Sequence, residues 1–136
     1  MYKIEKKGFG YKLTFSGSIR PEEMAEWARE FEVVLQTQNG PFFVFVDMRS
    51  LIPLSREAQV HMHKGQVLAL RYGMVRSVVI SKSPVTEAQF RRIGGETGII
   101  KGERYIDPTE ILDWEKVGLD WLLQGIEPRA RRATLA

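Results

Sequence analysis

The chain has 136 residues, 43% of them apolar and 27% charged, with a formal net charge of +3 and no cysteine. That length fits one domain able to bury roughly two-thirds of its unfolded surface. The lack of cysteine excludes disulfides, thiol catalysis and thiolate zinc sites and fits a reducing, cytoplasmic setting; the slight positive charge gives no footprint for nucleic acid.

No apolar run approaches the ~20 residues that span a bilayer, and Met1-Tyr2-Lys3-Ile4-Glu5 does not read as a signal peptide. Tyr2 to Lys6 and Tyr11 to Phe15 are short strands joined by the turn Lys7-Gly8-Phe9-Gly10. In the second, Tyr11, Leu13 and Phe15 alternate with Lys12, Thr14 and Ser16, which marks one wet face and an edge hairpin. Pro21 opens a helix, with Glu22 and Glu23 in its first turn, where they favour the positive end of the dipole. Met24, Trp27, Ala28, Phe31, Val34 and Leu35 form its apolar stripe.

Phe42 to Val46 is five apolar residues in a row, the signature of a strand buried on both faces. Asn39-Gly40-Pro41 opens it and Asp47 ends it, so Met48 to Leu54 is a loop leaving a strand's carboxyl end. Ligands of open α/β sheets bind beyond such ends. Ser55 then caps a helix running to about Tyr72, terminated by Gly73. Ala58, Met62, Gly65, Leu68, Ala69 and Tyr72 supply its core face, with Gln59 and Gln66 as polar separators. Val60, Val67 and Leu70, with His63 among them, form a second stripe nearly opposite, which asks for a partner or is tolerated by solvent.

Val78-Val79-Ile80 within Ser77 to Ser81 is another buried strand, and Pro84 to Thr97 a helix holding Ala88, Phe90 and Ile93, ended by Gly98. Arg104 to Asp107 is a last strand. Asp107-Pro108-Thr109-Glu110 reads as a helix start, with Ile111, Leu112, Trp114, Val117, Leu119, Trp121, Leu122 and Leu123 in the helix. The order β-β-α-β-α-β-α-β-α predicts a five-stranded mixed sheet with four helices: an antiparallel hairpin, then parallel strands joined by right-handed crossovers. Residues 1–124 form the α/β domain, and 125–136, with Arg129, Arg131 and Arg132, are expected to be a mobile basic tail.

Asp47, Ser81 and Asp107 fall together at strand ends, where acids act in acid–base work or hold a metal. Asp107 is also explained as a helix cap and Ser81 as an ordinary strand end. His61 and His63 point about 160° apart on a helix and do not chelate one ion. Gly94-Gly95-Glu96-Thr97-Gly98 ends a helix instead of opening one, so it makes a poor phosphate cradle. No Walker loop, nucleophile elbow or dinucleotide fingerprint is present. Arg91, Arg92, Lys101 and Arg104 are a possible basic patch, with a solvated face as the default. Leu51-Ile52-Pro53-Leu54 is an apolar loop that either folds over the sheet end or lines a ligand or partner site.

Val44-Phe45-Val46-Asp47-Met48-Arg49-Ser50-Leu51, followed by a loop and a helix, resembles the core of STAS-type domains, the anti-sigma factor antagonist fold. The likeness extends to about Leu123 and is closest to the STAS-like branch that also resembles CRAL-TRIO lipid-binding domains. It is carried further by Ser77 to Ile80 and Glu103-Arg104-Tyr105-Ile106-Asp107-Pro108. Anti-sigma antagonists carry a phosphorylated serine at the start of this helix. Here the ungapped position is Arg56, with Ser55 one residue earlier as the cap, so no phosphorylation is expected.

The resemblance implies a non-enzymatic interaction module. Its expected contacts with a protein partner or a second copy are Leu51, Ile52, Leu54, Val60, His63, Val67 and Leu70. A small apolar ligand or lipid carrier is the alternative, and an enzyme using the acids Asp47, Ser81 and Asp107 the third reading. No cofactor or metal is expected.

Overall fold

The computed structural model describes residues 1–129. Among them run β1 (Tyr2–Lys7), β2 (Gly10–Gly17), α1 (Pro21–Leu35), β3 (Phe42–Leu51), α2 (Arg56–Arg71) and β4 (Met74–Ile80). Then follow α3 (Pro84–Thr97), a 3-10 turn over Ile99–Gly102, β5 (Glu103–Ile106) and α4 (Trp114–Gln124). The strands make one mixed sheet in the order β1-β2-β3-β4-β5, antiparallel between β1 and β2 and parallel elsewhere. No helix among the described residues is long and apolar enough to cross a membrane.

β3 is the middle strand, as its apolar run implies. Its alternate side chains feed two cores. Phe42, Val44, Val46 and Met48 join Tyr11, Leu13, Phe15 and Val79 beneath α1, α2 and α3. Phe45, with Phe43 beside it, joins Val78, Ile80 and Ile106 beneath α4. Crossovers of one hand through strands in sequential order place every crossover helix on the same face. So α1, α2 and α3 form one layer, and α4, which follows the last strand, covers the other side.

The first layer is held by aromatic packing. Trp27 stacks on Phe31 at 5.4 Å between ring centroids and meets Phe15 edge-on at 5.1 Å. Its ring lies directly against the backbone of Gly65 in α2, where a Cβ would be 2.1 Å from it. Glycine at position 65 is therefore what lets α1 and α2 approach. On the opposite face, Trp121 Nε1 donates to Ser77 O at 2.9 Å, and Arg104 stacks on the same indole at 4.2 Å. Arg76 Nε donates to Leu122 O, a carbonyl at the end of α4, at 3.0 Å.

Several boundaries differ from the sequence reading. β3 does not stop at Asp47: beyond a bulge, Ser50 and Leu51 pair with Ser16 and Gly17, so Met48 to Leu51 is strand and not loop. β4 starts at Met74, which pairs with Phe42. The helix start expected at Asp107 is a turn: Asp107 O accepts from Glu110 N and Ile111 N, but α4 begins only at Trp114. Burial of Ile111 with Phe45, Ile80 and Ile106 turns the chain back over the sheet before the helix forms. Leu112 is left exposed, and Ala88, expected in the core, faces solvent on α3.

Of the expected mobile tail, residues 125–129 are described and its start is tied down. Gly125 N donates to Trp121 O at 3.0 Å, and Glu127 takes Arg104 Nε at 2.7 Å. The rest of that tail, 130–136, lies outside the described residues.

Gly65→Ala is expected to destabilise the fold by about 1–3 kcal/mol through overpacking against Trp27. Gly95→Ala, where a Cβ meets nothing within 4 Å, is expected to stabilise α3 by about 0.5–1 kcal/mol. Urea unfolding of both variants beside the parent chain checks the contrast.

Candidate functional site

At the strand ends, each rim group is already engaged locally. Asp47 is buried on the α4 face and grips its neighbour Arg49 in a bidentate pair, Nε to Oδ1 at 3.0 Å and Nη2 to Oδ2 at 2.9 Å. Burial pushes its carboxyl up, but the hydrogen bonds and charge of Arg49, helped by Lys12, outweigh that and hold it below its ordinary value. The guanidinium lies over Trp114 at 4.4 Å, so the pair pins the first turn of α4. Asp107 accepts from Thr109 N at 2.8 Å and Thr109 Oγ1 at 2.6 Å, and these bonds hold it below the usual carboxylate range. Ser81 Oγ donates to Ser83 O at 3.4 Å. Among the described residues, no group of three or more His, Asp or Glu is placed to hold a metal ion.

The apolar loop folds over the sheet end. Leu51 is 4% and Leu54 5% exposed, both inside the core beneath the three-helix layer, so neither side chain presents to a partner. The backbone is stitched down around them. Gln89 of α3 accepts from Leu54 N at 2.8 Å and donates to Leu54 O at 3.0 Å, and Thr86 Oγ1 donates to Leu51 O at 3.3 Å. Ile52, between them, stays exposed.

Ser55 caps α2 as its type predicts, its Oγ accepting from Ala58 N at 3.2 Å. Ala58, Met62, Gly65, Leu68 and Ala69 point into the core. On the outer side, Val60 is 63% and Leu70 36% exposed, while Val67 and His63 are half-buried. Two surface grooves flank this face. Between α2 and α3 lies one of about 670 Å³, lined by Arg56, Gln59, Val60, His63, Arg92 and Glu96. Between α1 and α2 lies one of about 510 Å³, lined by Glu22, Ala25, Arg29, Glu57 and His61. The two histidines thus face different grooves.

The basic patch that Arg91, Arg92, Lys101 and Arg104 could have made, against a solvated face as the default, does not assemble. Arg91 pairs with Glu87 at 2.8 Å and stacks on Tyr105, and Arg92 pairs with Glu96 and hydrogen-bonds Gln59. Arg104 is on the other side of the sheet against Trp121 and Glu127.

Sequence reasoning missed the buried polar groups. Gln66, read as a surface separator, is buried, and its Oε1 accepts from Thr97 Oγ1 at 2.9 Å. Glu103 is buried on the helix-layer face of β5, accepting from Tyr105 OH at 2.7 Å and Ser77 Oγ at 3.4 Å. Both line a cavity of about 40 Å³, as does Trp27, whose buried indole N–H has no hydrogen-bond partner. That volume suits about one or two waters. Only the partners, 26 and 31 residues distant in the chain, reveal these polar positions.

Burial pushes Glu103 from its ordinary 4.5 to about 7, against the lowering effect of its hydrogen bonds and of Arg91. Between those pH values the unfolded chain gives up the proton first, so folding stability falls as pH rises from 4.5 through about 7. At ~1.4 kcal/mol per pH unit the loss is on the order of 3 kcal/mol. Glu103→Gln, which keeps an acceptor for Tyr105, is expected to flatten that slope; urea midpoints measured from pH 4.5 to 8 in both chains check it.

No protein-family model, curated protein or solved structure matches the chain.

Proposed function

We propose that the chain is a STAS-like interaction module that binds a protein surface, a partner's or a second copy's, through the outer face of α2, with Ile52 at its approach. The observation that carries this reading is the exposure of Val60, 63%, on a helix whose opposite face already supplies the core. Val67 and Leu70 extend the apolar line along the same side, and Arg56 and His63 border it. Covering such side chains yields about 25 cal/mol for each Å² of apolar surface removed from water. The sequential mixed sheet and the element order support the STAS-like part of the reading.

A carrier of apolar ligands has less behind it. Pockets for such ligands enclose about 300–1,000 Å³, whereas the cavity inside the helix-layer core measures about 40 Å³. An enzyme has less again, because Asp47, Ser81 and Asp107 each spend hydrogen bonds on a neighbour two residues away.

A benzophenone amino acid in place of Val60 tests the reading in cells. It is expected to give a discrete protein adduct on illumination. Leu70→Glu, with an unchanged melting curve, should cut that adduct by about fivefold. The same photoreactive group in place of Lys3, exposed on β1, should give none. Equal labelling from both positions, or no adduct at 60, overturns the proposal.

A further inference from the structure

We infer that the occupant of the α2 face is a single amphipathic helix of a protein partner, apolar along one seam and flanked by carboxylates. This rests on the reading of α2 as a docking face and adds the chemistry of what docks there.

The pattern along α2 comes first. Val60, His63, Val67 and Leu70 follow one another at spacings of three, four and three residues, on the side turned away from the core. That is the spacing by which one helix seats against another in a coiled coil. The core-facing residues Ala58, Met62, Gly65, Leu68 and Ala69 are a separate set. α2 thus carries two seams, one for the sheet and one facing outward. The outward seam borders the groove of about 670 Å³ between α2 and α3, which offers room for side chains of a docked helix.

Charge selects the partner. At about 100° per residue, Arg56, Lys64 and Arg71 lie within roughly 80° of one another and interleave with Val60 and Val67. All three are exposed, and their side chains make no ion pair or hydrogen bond with any described residue. Every cation of α3 and α4 is by contrast matched four residues away: Arg91 with Glu87, Arg92 with Glu96, Lys116 with Asp120. In α2 the residue four before Lys64 is Val60, and the one four before Arg71 is Val67. Valines stand where the carboxylates would. The one acid of α2, Glu57, is in the first turn, where it serves the dipole. It lines the groove toward α1 with Glu22, Arg29 and His61, outside the seam. The strip from Arg56 to Arg71 is therefore basic over about 22 Å, and its complement is acidic.

A membrane surface fits less well. Helices that lie in a bilayer interface bury a broad face of bulky apolar side chains. This strip offers two valines and a leucine, on a helix whose other sides are packed in the fold. A helix laid along the seam instead brings its flanking side chains beside Lys64 and Arg71, the positions where interhelical ion pairs form.

The probe is a fluorescein-labelled peptide of about three heptads, with leucine at the first and fourth positions of each and glutamate at the fifth and seventh. Its own charges keep it from pairing with itself. Titrated with the full chain at low salt, its anisotropy should rise with a Kd of roughly 50 μM. The same peptide with lysine for glutamate should bind about tenfold more weakly. A chain carrying Lys64→Glu and Arg71→Glu should reverse that preference, which also shows that it is folded. Lys3→Glu with Lys82→Glu, both exposed elsewhere, should leave the preference unchanged. Equal binding of the two peptides, reversal by the second pair of substitutions, or no binding at several hundred micromolar overturns the inference. So does binding to phosphatidylserine vesicles in place of either peptide, which would make the occupant a membrane. In cells, mass spectrometry of the adduct formed from position 60 should place the link in an acidic segment with apolar residues at heptad spacing. A link to a neutral or basic segment, or to a second copy of this chain, ends this inference and leaves the docking reading standing. No adduct at 60 ends both.

Discussion

Neither face of β3 meets water over Val44 to Met48, and the two faces are filled by different sets of helices. A strand so placed must sit inside the sheet, with neighbours on both edges. The neighbours come from sequence order: β2 on one side and β4 on the other, each reached by one crossover. Sequential order then puts α1, α2 and α3 in one layer, and only a helix outside that series is left to cover Phe45 and Val78. α4 does so, docked by Trp121 and by Arg76, Arg104 and Arg49.

This asymmetry decides what the surface offers. In a layer of three parallel helices, the middle one touches the sheet below and a helix on each side. Its outward strip is all that remains for solvent. α2 is that middle helix, and its strip carries valines and a leucine where lysine and glutamate would be neutral choices. The strand-end rim, where α/β folds commonly place ligands, is by contrast closed by local pairing. Asp47 serves Arg49, Asp107 serves its own turn, and Leu51 and Leu54 plug the sheet end.

Much of the fold was legible in the sequence because its signals are local. Asn39-Gly40-Pro41 and Gly73 at the turns, Ser55 at a cap, and Pro84 with Gly98 at the ends of α3 mark elements from within a few residues. The α2 strip was legible too, as a period that one sheet does not use up. What was not legible depends on distant partners. Met48 to Leu51 looks like loop until Ser16 and Gly17 pair with it, and Glu103 looks like a surface residue until Ser77 and Tyr105 surround it. The start of α4 was misread for a related reason. The cap signal at Asp107 is real and makes its turn, but the pull of Ile111 into the core redirects the chain before a second turn forms. Local chemistry chose the bend, and tertiary packing chose its continuation.

The closeness of α1 and α2 links the interior to the outer surface. Gly65 admits the Trp27 ring, and any larger residue would push the two axes apart. Spacing and level at the core are therefore also spacing and level on the outside, where Val33 and Val60 are carried by the same two rods. A rigid pair of helices holds the backbone of such a face in place before contact, so the entropy lost on covering Val60 is confined to side chains. The cost sits within the chain itself, as a glycine in mid-helix. Trp27 seated on Gly65 gives the α1–α2 pair a fixed geometry, and a fixed geometry is what a docking face along α2 requires.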